Sequence, residues 1–534
     1  MLKHTKKNNF PLRVVELFAG VGGFRLGLEK IANRRAFEFI WSNQYEPGSR
    51  MQWASEVYKY QFPDTEKSKH SNKLIEDAIT SGEVPKKFDL LVGGFPCQDY
   101  SVAKPKNHSR GINGKKGVLW WSIYEILKNS KPEYIILENV DRLIKSPSKQ
   151  RGRDFAIMLK CLAALGYIVE WRVINAAEYG MPQRRRRVFI VASKLSSKLG
   201  KITKTIGHEE CIYRTGVLAE AFPVRPISLT KGSYSKKKKL NVECSKHTIE
   251  LEPHKLTELF NKGNSIHAPF MSAGLMIPTE NGAAEVWTSK VIPNYKGKSK
   301  NLGNILINQN EVPEEFLINK ESVKNWVKQK KNKNEIRTNY LTTFEHVRKL
   351  FANVGTRLKL TNSLKYALRK QLESYREKNP SGGQPLKLYV EGSTKSIEVT
   401  WKLINETKTE YHFKEGPLPM PDPLNRPLRT IITSEGNSSP SRFKHIICRD
   451  CAAKWRKNNK VLEHKCVEAK NFRRLTPLEL ERGNMFPDNH TKYIKIKGEV
   501  KEVSSQQRAF FMGNALVVGV VKKIGESLFK KIQA

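Results

Sequence analysis

The feature that most constrains the fold is an alternation of short apolar stretches with helical patterns over residues 1–195. The apolar spacing predicts strands at residues 12–17, 37–41, 88–92, 134–137, 167–174 and 187–192, and a helix at 157–165 that ends before Gly166. Strands that alternate with helices indicate an open, doubly wound α/β sheet, whose ligands bind at the carboxyl ends of the strands. The residues that follow each strand are therefore the first candidates for chemistry.

Net charge limits the partners that such a chain can have. Lys and Arg number 95 and Asp and Glu 52, so the formal net charge is +43. Residues 101–200 form the densest large block, with 20 basic and seven acidic residues. This excess favours a polyanion, with nucleic acid considered first and an anionic membrane surface second. The alternative is a basic face that is simply solvated.

Composition and local patterns also exclude several classes of protein. No run of about 18 apolar residues occurs, so we expect no membrane-spanning helix and no membrane partner. The basic N-terminus lacks the apolar core of a signal peptide. Seven cysteines in 534 residues fit a reduced cytoplasmic protein better than a secreted one built on disulfides. We therefore expect a cytoplasmic protein, acting as a monomer.

A glycine-rich turn, Phe18-Ala-Gly-Val-Gly-Gly23, directly follows the first predicted strand. Glycine lets the backbone approach a ligand closely, and the start of a helix favours polar or negative groups. A nucleotide-like ligand also needs a polar residue after the second strand. Gln44 and Glu46 lie there, with Tyr45 available for stacking. A plain tight turn is the alternative interpretation.

Two reactive side chains follow later strands. Cys97 comes after the third predicted strand, where it would stand at the carboxyl edge beside the glycine turn. A thiolate in positive surroundings is a strong nucleophile. Glu138 ends the fourth predicted strand, at the same edge. The alternatives are a buried, inert cysteine and an ordinary exposed glutamate.

An arginine run, Gln183-Arg-Arg-Arg-Arg187, opens a later strand. Alternation along a strand would send Arg185 and Arg187 to one face and Arg184 and Arg186 to the other. Burying several arginines is costly without anions, so phosphate or carbonyl oxygens are plausible partners. A solvated strand end is the alternative.

In their order along the chain, these motifs resemble those of DNA (cytosine-5) methyltransferases of the bacterial restriction-modification type. The matching segments are Phe18-Ala-Gly-Val-Gly-Gly23, Pro96-Cys97-Gln98, Glu138-Asn139-Val140, Gln183-Arg184-Arg185-Arg186-Arg187, Arg474-Leu-Thr-Pro-Leu-Glu479 with Phe486-Pro-Asp488, and Gly513-Asn514-Ala515. They span residues 12–192 and 472–530. The resemblance implies a Rossmann-like S-adenosyl-L-methionine-dependent methyltransferase domain and a second, mixed target-recognition domain.

The resemblance also implies a division of the chain and a mechanism. Residues 1–195 would be the first part of the catalytic domain, 196–471 the target-recognition domain, and 472–534 a return to the catalytic domain. Cys97 would add to C6 of a flipped cytosine, and C5 would take the methyl group from S-adenosyl-L-methionine. Glu138 would give the base a proton or hydrogen bond, and Arg187 with Arg185 would bind its carbonyl oxygen.

The remaining site residues are also carried over from the resemblance. Cofactor contacts are expected from Phe18, Gly20, Gly22, Gly23, Gln44, Tyr45, Glu46, Ile75, Gly94, Pro96, Leu119, Asn514 and Ala515. DNA contacts are expected from Gln98, Ser101, Gln183, Arg184, Thr430 and Ile431. Two positions depart from the family pattern. Gln44 stands where a glutamate is usual, and Leu74 stands where an aspartate near the adenine is usual.

The resemblance implies double-stranded DNA as the substrate and a restriction endonuclease as the functional partner. Two alternatives remain at this point, an RNA (tRNA) cytosine-5 methyltransferase and a non-catalytic DNA-binding relative. The latter would be expected to lack Cys97 or Glu138. No metal is expected, although Cys448, Cys451, His464 and Cys466 are ligand types suited to zinc, with incidental thiols as the alternative.

Overall fold

The computed structural model describes residues 10–95, 119–146, 151–226, 245–249, 270–279, 284–318, 370, 385–389, 396–400, 421–438, 444–458 and 471–534. Six of the predicted site residues lie outside these ranges, namely Pro96, Cys97, Gln98, Ser101, His464 and Cys466. Their roles therefore stay predictions.

A ten-stranded sheet organises the described chain, and four two-stranded sheets accompany it. The strands are β1 (Leu12–Leu17), β2 (Phe37–Asn43), β3 (Lys69–Ser71), β4 (Leu90–Gly94), β5 (Tyr134–Val140), β6 (Tyr167–Asn175), β7 (Arg186–Lys194), β8 (Val224–Pro226), β9 (Ser245–Ile249), β10 (Ala273–Pro278), β11 (Ala284–Ser289), β12 (Val291–Pro293), β13 (Pro385–Tyr389), β14 (Ser396–Thr400), β15 (Ile447–Cys448), β16 (Phe472–Arg473), β17 (Tyr493–Ile496) and β18 (Glu499–Glu502).

The strand order of the large sheet is β3-β2-β1-β4-β5-β7-β6-β10-β11-β9. Strands β3 to β5 are parallel, and β7 runs antiparallel to its neighbours β5 and β6. The chain leaves β1 outward through β2 and β3, then crosses to β4 and β5 on the other side. In doubly wound sheets ligands bind where this direction reverses, which here is outside the carboxyl ends of β1 and β4. The predicted α/β fold class is confirmed.

Helices cover both faces of the sheet. They are α1 (Gly23–Leu28), α2 (Trp53–Gln61), α3 (Ile75–Thr80), α4 (Leu119–Ser130), α5 (Arg153–Ala164), α6 (Lys198–Ile206), α7 (His208–Glu210), α8 (Val217–Ala221), α9 (Arg449–Asn458), α10 (Pro477–Gly483), α11 (Ser505–Asn514) and α12 (Val518–Gln533). Strand side chains alternate between the faces. In β1, Val15 and Leu17 join the cluster formed with α3, α4 and α5, and Leu12 and Val14 join the one formed with α1 and α12.

The C-terminal helix α12 packs closely on α1, at the start of the chain. Glycines make the approach possible at both contact points. A Cβ added at Gly27 would lie 2.7 Å from Val521 Cγ1, and one added at Gly525 would lie 2.3 Å from Leu28 Cδ2. Larger side chains there would force the helices apart. Both ends of the chain thus contribute to one layer over the sheet.

The region after residue 195 contributes to the large sheet as well. Strand β10 pairs antiparallel with β6, and β11 pairs with β10 and β9. Leu275 and Met276 on β10 are fully buried. The large sheet therefore extends past residue 195, where the first part of the domain was predicted to end. The physical reason is that β6 would otherwise be an edge strand with unpaired backbone N–H and C=O groups. The short apolar strand β10, from the middle region, forms hydrogen bonds with those groups.

A second apolar core joins the middle region to the C-terminal motifs. It includes Leu302, Leu428, Ile447, Leu480 and Met512, and it extends to the N-terminal segment through Val21 and Val57. This core places residues 428–431 beside the end of α11. None of the described helices is both long and apolar enough to cross a bilayer.

Candidate active site

The glycine turn after β1 has the backbone conformation that its sequence suggested. Phe18, Gly20 and Gly22 have φ values of 54°, 56° and 88°, in the left-handed region that glycine tolerates best. A Cβ on Gly22 would lie 2.4 Å from Phe62 Cε2, whereas no atom of the described residues lies within 4 Å of a Cβ built on Gly20. Position 22 thus needs glycine for packing, and position 20 leaves open space above the backbone.

Two side chains hold this turn from opposite ends of the sequence. Gln44, after β2, accepts a hydrogen bond at Oε1 from the Gly20 N–H, 2.7 Å away. His490 Nε2 lies 2.7 Å from the Val21 carbonyl oxygen, to which it donates as the neutral N–H tautomer. Burial lowers the pKa of His490 and so favours that neutral form. Motif matching did not identify His490, because its contact spans 469 residues.

The other predicted cofactor residues line the same edge in different ways. Glu46 accepts a hydrogen bond at Oε2 from the Ala54 N–H at the start of α2, 3.3 Å away, and burial raises the pKa of Glu46. Ile75 is 2% exposed and packs in the core, so the structure shows no open surface at this predicted cofactor contact. Leu119 and Asn514 begin α4 and end α11 respectively.

A buried acid lies just below the glycine turn. Glu16 on β1 is fully buried, and its Oε2 accepts a hydrogen bond from the Tyr58 hydroxyl at 2.9 Å. Its Oε1 has no hydrogen-bond partner among the described residues. Burial raises the pKa of Glu16 to about 7, against the opposing effects of the Tyr58 hydrogen bond and of Arg25. The acid is therefore close to its titration point at neutral pH.

Glu16→Gln is expected to stabilise the protein at pH 8 and to have little effect near pH 4. The folded-state pKa of Glu16 lies above its unfolded value, so folded protein retains a proton that the unfolded chain releases. Stability therefore falls as pH rises from 4.5 to about 7, by about 3 kcal/mol at most. The Glu16→Gln variant has no carboxyl to titrate at this position, so it should not lose this stability as the pH rises. Urea unfolding at both pH values measures the difference, and equal effects at the two would contradict the assignment.

Two of the predicted catalytic residues form a pair on neighbouring strands. Glu138 on β5 forms an ion pair with Arg187 on β7, with Oε1 and Nε 2.9 Å apart. Gly94, the last residue of β4, stands opposite Glu138, and a Cβ there would lie 3.2 Å from Glu138 Oε2. Burial raises the pKa of Glu138, against the charges of Arg187 and Arg185. A carboxyl in this setting can be held as a proton donor.

Asn139 belongs to the Glu138-Asn139-Val140 motif, and the structure shows which groups its side chain binds. It is 1% exposed and donates from Nδ2 to the Phe95 carbonyl oxygen at 3.2 Å. Its Oδ1 accepts from the Val140 N–H at 2.8 Å. Because Phe95 directly precedes Pro96 and Cys97, Asn139 ties the start of that segment to the end of β5. The end of β5 and the end of the described segment at Phe95 are therefore held together by one buried side chain.

The four arginines alternate as the strand period predicts. Arg184 and Arg186 are exposed, and Arg186 pairs with Asp141 at 2.9 Å. Arg187 is mostly shielded beside Glu138, and Arg185 is 2% exposed. Arg185 donates to carbonyl oxygens of Ile431, Gly513 and Asn514. This placement differs from the expected contact of Arg185 with the base, because its guanidinium meets backbone oxygens.

Two of the residues expected to contact DNA, Gln183 and Ile431, are buried in the protein interior. Gln183 is fully buried, with Nε2 2.7 Å from Asn484 Oδ1 and Oε1 accepting from the Ile431 N–H at 3.2 Å. Ile431 is 1% exposed and packs in the second core. Thr430 is partly exposed, and its hydroxyl donates to the Arg184 carbonyl oxygen at 2.7 Å. The burial of Gln183 and Ile431 argues against direct DNA contact by either side chain.

No group of three or more His, Cys, Asp or Glu side chains suited to a metal occurs within the described ranges. Cys448 is buried at the end of β15, and Cys451 is partly buried in the first turn of α9. His464 and Cys466, the other two candidate zinc ligands, lie outside the described residues.

Comparison with known proteins agrees with the ordered motifs. The profile for C-5 cytosine-specific DNA methylase matches residues 12–530. The chain is 36% identical over 519 residues to Type II methyltransferase M.Sau3AI of Staphylococcus aureus, covering 97% of this chain and 96% of that protein. It is 35% identical over 193 residues to M.NlaIV of Neisseria lactamica, which covers 35% of this chain and 42% of that protein. The match to M.Sau3AI therefore takes in the middle region, whereas the other spans about a third of the chain. A family match over residues 12–530, together with 36% identity to M.Sau3AI over 97% of the chain, shows that this chain belongs to the C-5 cytosine-specific DNA methylase family and is a DNA (cytosine-5) methyltransferase.

Proposed function

We propose that the chain transfers a methyl group from S-adenosyl-L-methionine to C5 of a cytosine at a specific site in double-stranded DNA. The observation that carries this proposal is the shielded Glu138–Arg187 pair, 2.9 Å apart, at the carboxyl edge of the sheet. It lies opposite Gly94, from which the chain continues toward Cys97. A nucleophile, a proton donor and a cation would then converge on one base.

The residues present fit S-adenosyl-L-methionine. Gly20 leaves open space above the glycine turn, and Gln44 beside it offers an amide that can donate to an acceptor on a sugar. Asn514 and Ala515 enter from the other end of the chain, since Leu516 contacts Gly23. When bound, this group supplies an electrophilic methyl. Phe18, Gly20, Gln44, Tyr45, Leu119 and Asn514 are the residues that we assign to hold it.

The remaining chemistry belongs to the chain and the base. Cytosine must leave the duplex to be reached. The Cys97 thiolate forms a bond from Sγ to C6, and the electron pair of the C5–C6 double bond moves toward C5. Glu138 supplies a proton or hydrogen bond at N3, which stabilises the charge that enters the ring. After C5 is methylated, a base removes the C5 proton, the double bond re-forms, and the bond to Cys97 breaks.

Arg187 has a donor available for the base. Its Nε is engaged with Glu138, and its Nη1 donates to the Arg186 carbonyl oxygen at 2.8 Å. We assign the other terminal nitrogen to the carbonyl oxygen of the flipped cytosine. The guanidinium would thus hold Glu138 and the substrate in one plane, as its fixed fork geometry favours.

The biological setting follows from the relatives by analogy. M.Sau3AI is named a Type II methyltransferase, and we infer that this chain likewise protects DNA from a partner restriction endonuclease. A monomer acting in the cytoplasm fits the sparse cysteines and a DNA substrate. The net charge of +43 favours binding to the phosphate backbone.

A transfer assay tests the activity and its substrate. Purified protein is incubated with methyl-labelled S-adenosyl-L-methionine and either unmethylated duplex DNA or tRNA. We expect label in DNA alone, and no label with Cys97→Ala. Cys161→Ala is the matched control, because Cys161 is a free, buried cysteine on α5, and it should retain activity. Label in tRNA alone, or activity in the Cys97 variant, would overturn the proposal. Bisulfite sequencing of the product then locates the target cytosine.

A further inference from the structure

Arg185 and Arg187 lie two residues apart on one face of the chain but have different surroundings. Arg187 meets a carboxylate at the open edge. Arg185 is 2% exposed, and its donors reach the carbonyl oxygens of Ile431 at 3.3 Å, Gly513 at 3.0 Å and Asn514 at 3.1 Å. One guanidinium therefore joins three segments that are remote in sequence.

Two of these oxygens belong to the end of α11. The last carbonyl groups of a helix have no partner within it, and a cation there satisfies them and favours the negative end of the helix dipole. Nη2 of Arg185 donates to both Gly513 and Asn514. The guanidinium thereby determines where the backbone of Asn514 lies.

The end of α11 also has little freedom on its other side. A Cβ added at Gly513 would lie 2.4 Å from Thr433 N and 2.5 Å from Ile432 C. Backbone therefore contacts backbone at this point. Beyond α11, a Cβ added at Gly23 would lie 3.1 Å from Leu516 Cδ1. Asn514 and Ala515 are thus held between Arg185 on one side and the glycine turn on the other.

We propose that Arg185 is a positioning residue for S-adenosyl-L-methionine, acting through the carbonyl oxygens of Gly513 and Asn514, and not a contact to the base. Loss of the guanidinium leaves the end of α11 without its anchor, so Asn514 and Ala515 no longer present a fixed surface beside the glycine turn. Losing this preorganisation should weaken binding, because a loose segment must be ordered when the ligand binds and that ordering costs free energy. The inference rests on the proposed use of S-adenosyl-L-methionine.

The test compares three arginines by calorimetric titration with S-adenosyl-L-methionine, without DNA. Arg185→Met should raise the Kd by about tenfold or more, which corresponds to about 1.4 kcal/mol. Arg187→Met should keep the Kd within about twofold, since Arg187 is assigned to the base. Arg172→Met is the structural control. Arg172 is also 2% exposed and donates to backbone carbonyls, but those carbonyls lie at Ile212, Leu218 and Phe222, around α8.

Melting temperatures of all variants separate binding from folding. Arg172→Met should lower the melting temperature and leave the Kd unchanged below it. Arg185→Lys is a second variant in case Arg185→Met does not fold. Lysine keeps the positive charge but lacks the several N–H donors of the guanidinium. It should therefore also raise the Kd. Wild-type affinity in folded Arg185→Lys or Arg185→Met would overturn the inference. Absence of binding by the wild-type protein would instead overturn the proposed use of S-adenosyl-L-methionine.

Discussion

Glu138→Gln is expected to lower kcat for DNA methylation by roughly 100- to 10,000-fold, the range typical of a lost general acid. The side chain is shielded at the edge of the sheet, and burial raises the pKa of its carboxyl. The protonated acid can transfer a proton to N3 as Cys97 adds, whereas the amide can only offer a hydrogen bond. Steady-state kinetics with duplex DNA measure the change, and binding of S-adenosyl-L-methionine should be unaltered.

The same substitution should change the pH profile. Because Glu138 acts in its protonated form, wild-type kcat should fall as pH rises through the raised pKa of that carboxyl. The variant should lack this decline. Glu178→Gln is the control, since Glu178 is exposed on the turn after β6 and should behave as wild type. Full activity of Glu138→Gln, with the wild-type profile, would contradict the assigned role without affecting family membership.

Glu479→Ala should be the most destabilising single substitution among those considered, by about 3–5 kcal/mol. Glu479 and Arg473 are both fully buried, and each carboxylate oxygen lies 2.8 Å from a guanidinium nitrogen. Alanine leaves the Arg473 charge buried without a counterion. It also removes acceptors for the Ile307 and Thr476 N–H groups, each 2.9 Å away. Such a loss is a large share of an ordinary domain's stability.

Urea unfolding followed by circular dichroism measures this effect. The double variant Arg473→Met with Glu479→Leu should be less destabilised than Glu479→Ala alone, since it removes both charges and keeps the volume. Glu502→Ala is the matched control, because its pair with Lys492 is exposed and a solvent-exposed ion pair contributes little to stability. A change below about 1 kcal/mol in Glu479→Ala would contradict the expected cost of an unpaired buried charge.

Most of the catalytic half could be predicted from local sequence. The apolar runs at residues 12–17 and 134–137 lie within β1 and β5, and the run at 88–92 overlaps β4 at residues 90–92. These features depend on periods of two to four residues and on the places where glycine interrupts them. The alternation of Arg184 to Arg187 followed from the same local rule.

Contacts between distant segments could not be read from such patterns. The pairing of β10 with β6 depends on an unfilled sheet edge, and nothing near residue 273 signals it. Gln183 and Arg185 sit within a motif that suggested substrate contacts, yet Gln183 binds Asn484 and Ile431, and Arg185 binds the end of α11. A side chain's type indicates what it can bind, but its neighbours determine which partner is within reach.

By itself, the sequence determined the family, the α/β fold class and the order of Cys97, Glu138 and Arg187 along the chain. Each of these follows from residue type and short spacing. Only the tertiary structure decided that Glu138 pairs with Arg187, that His490 and Gln44 hold the glycine turn, and that Arg185 donates hydrogen bonds to the end of α11. The physical reason is that hydrogen bonds act over about 3 Å, so which groups meet is settled when remote segments pack together.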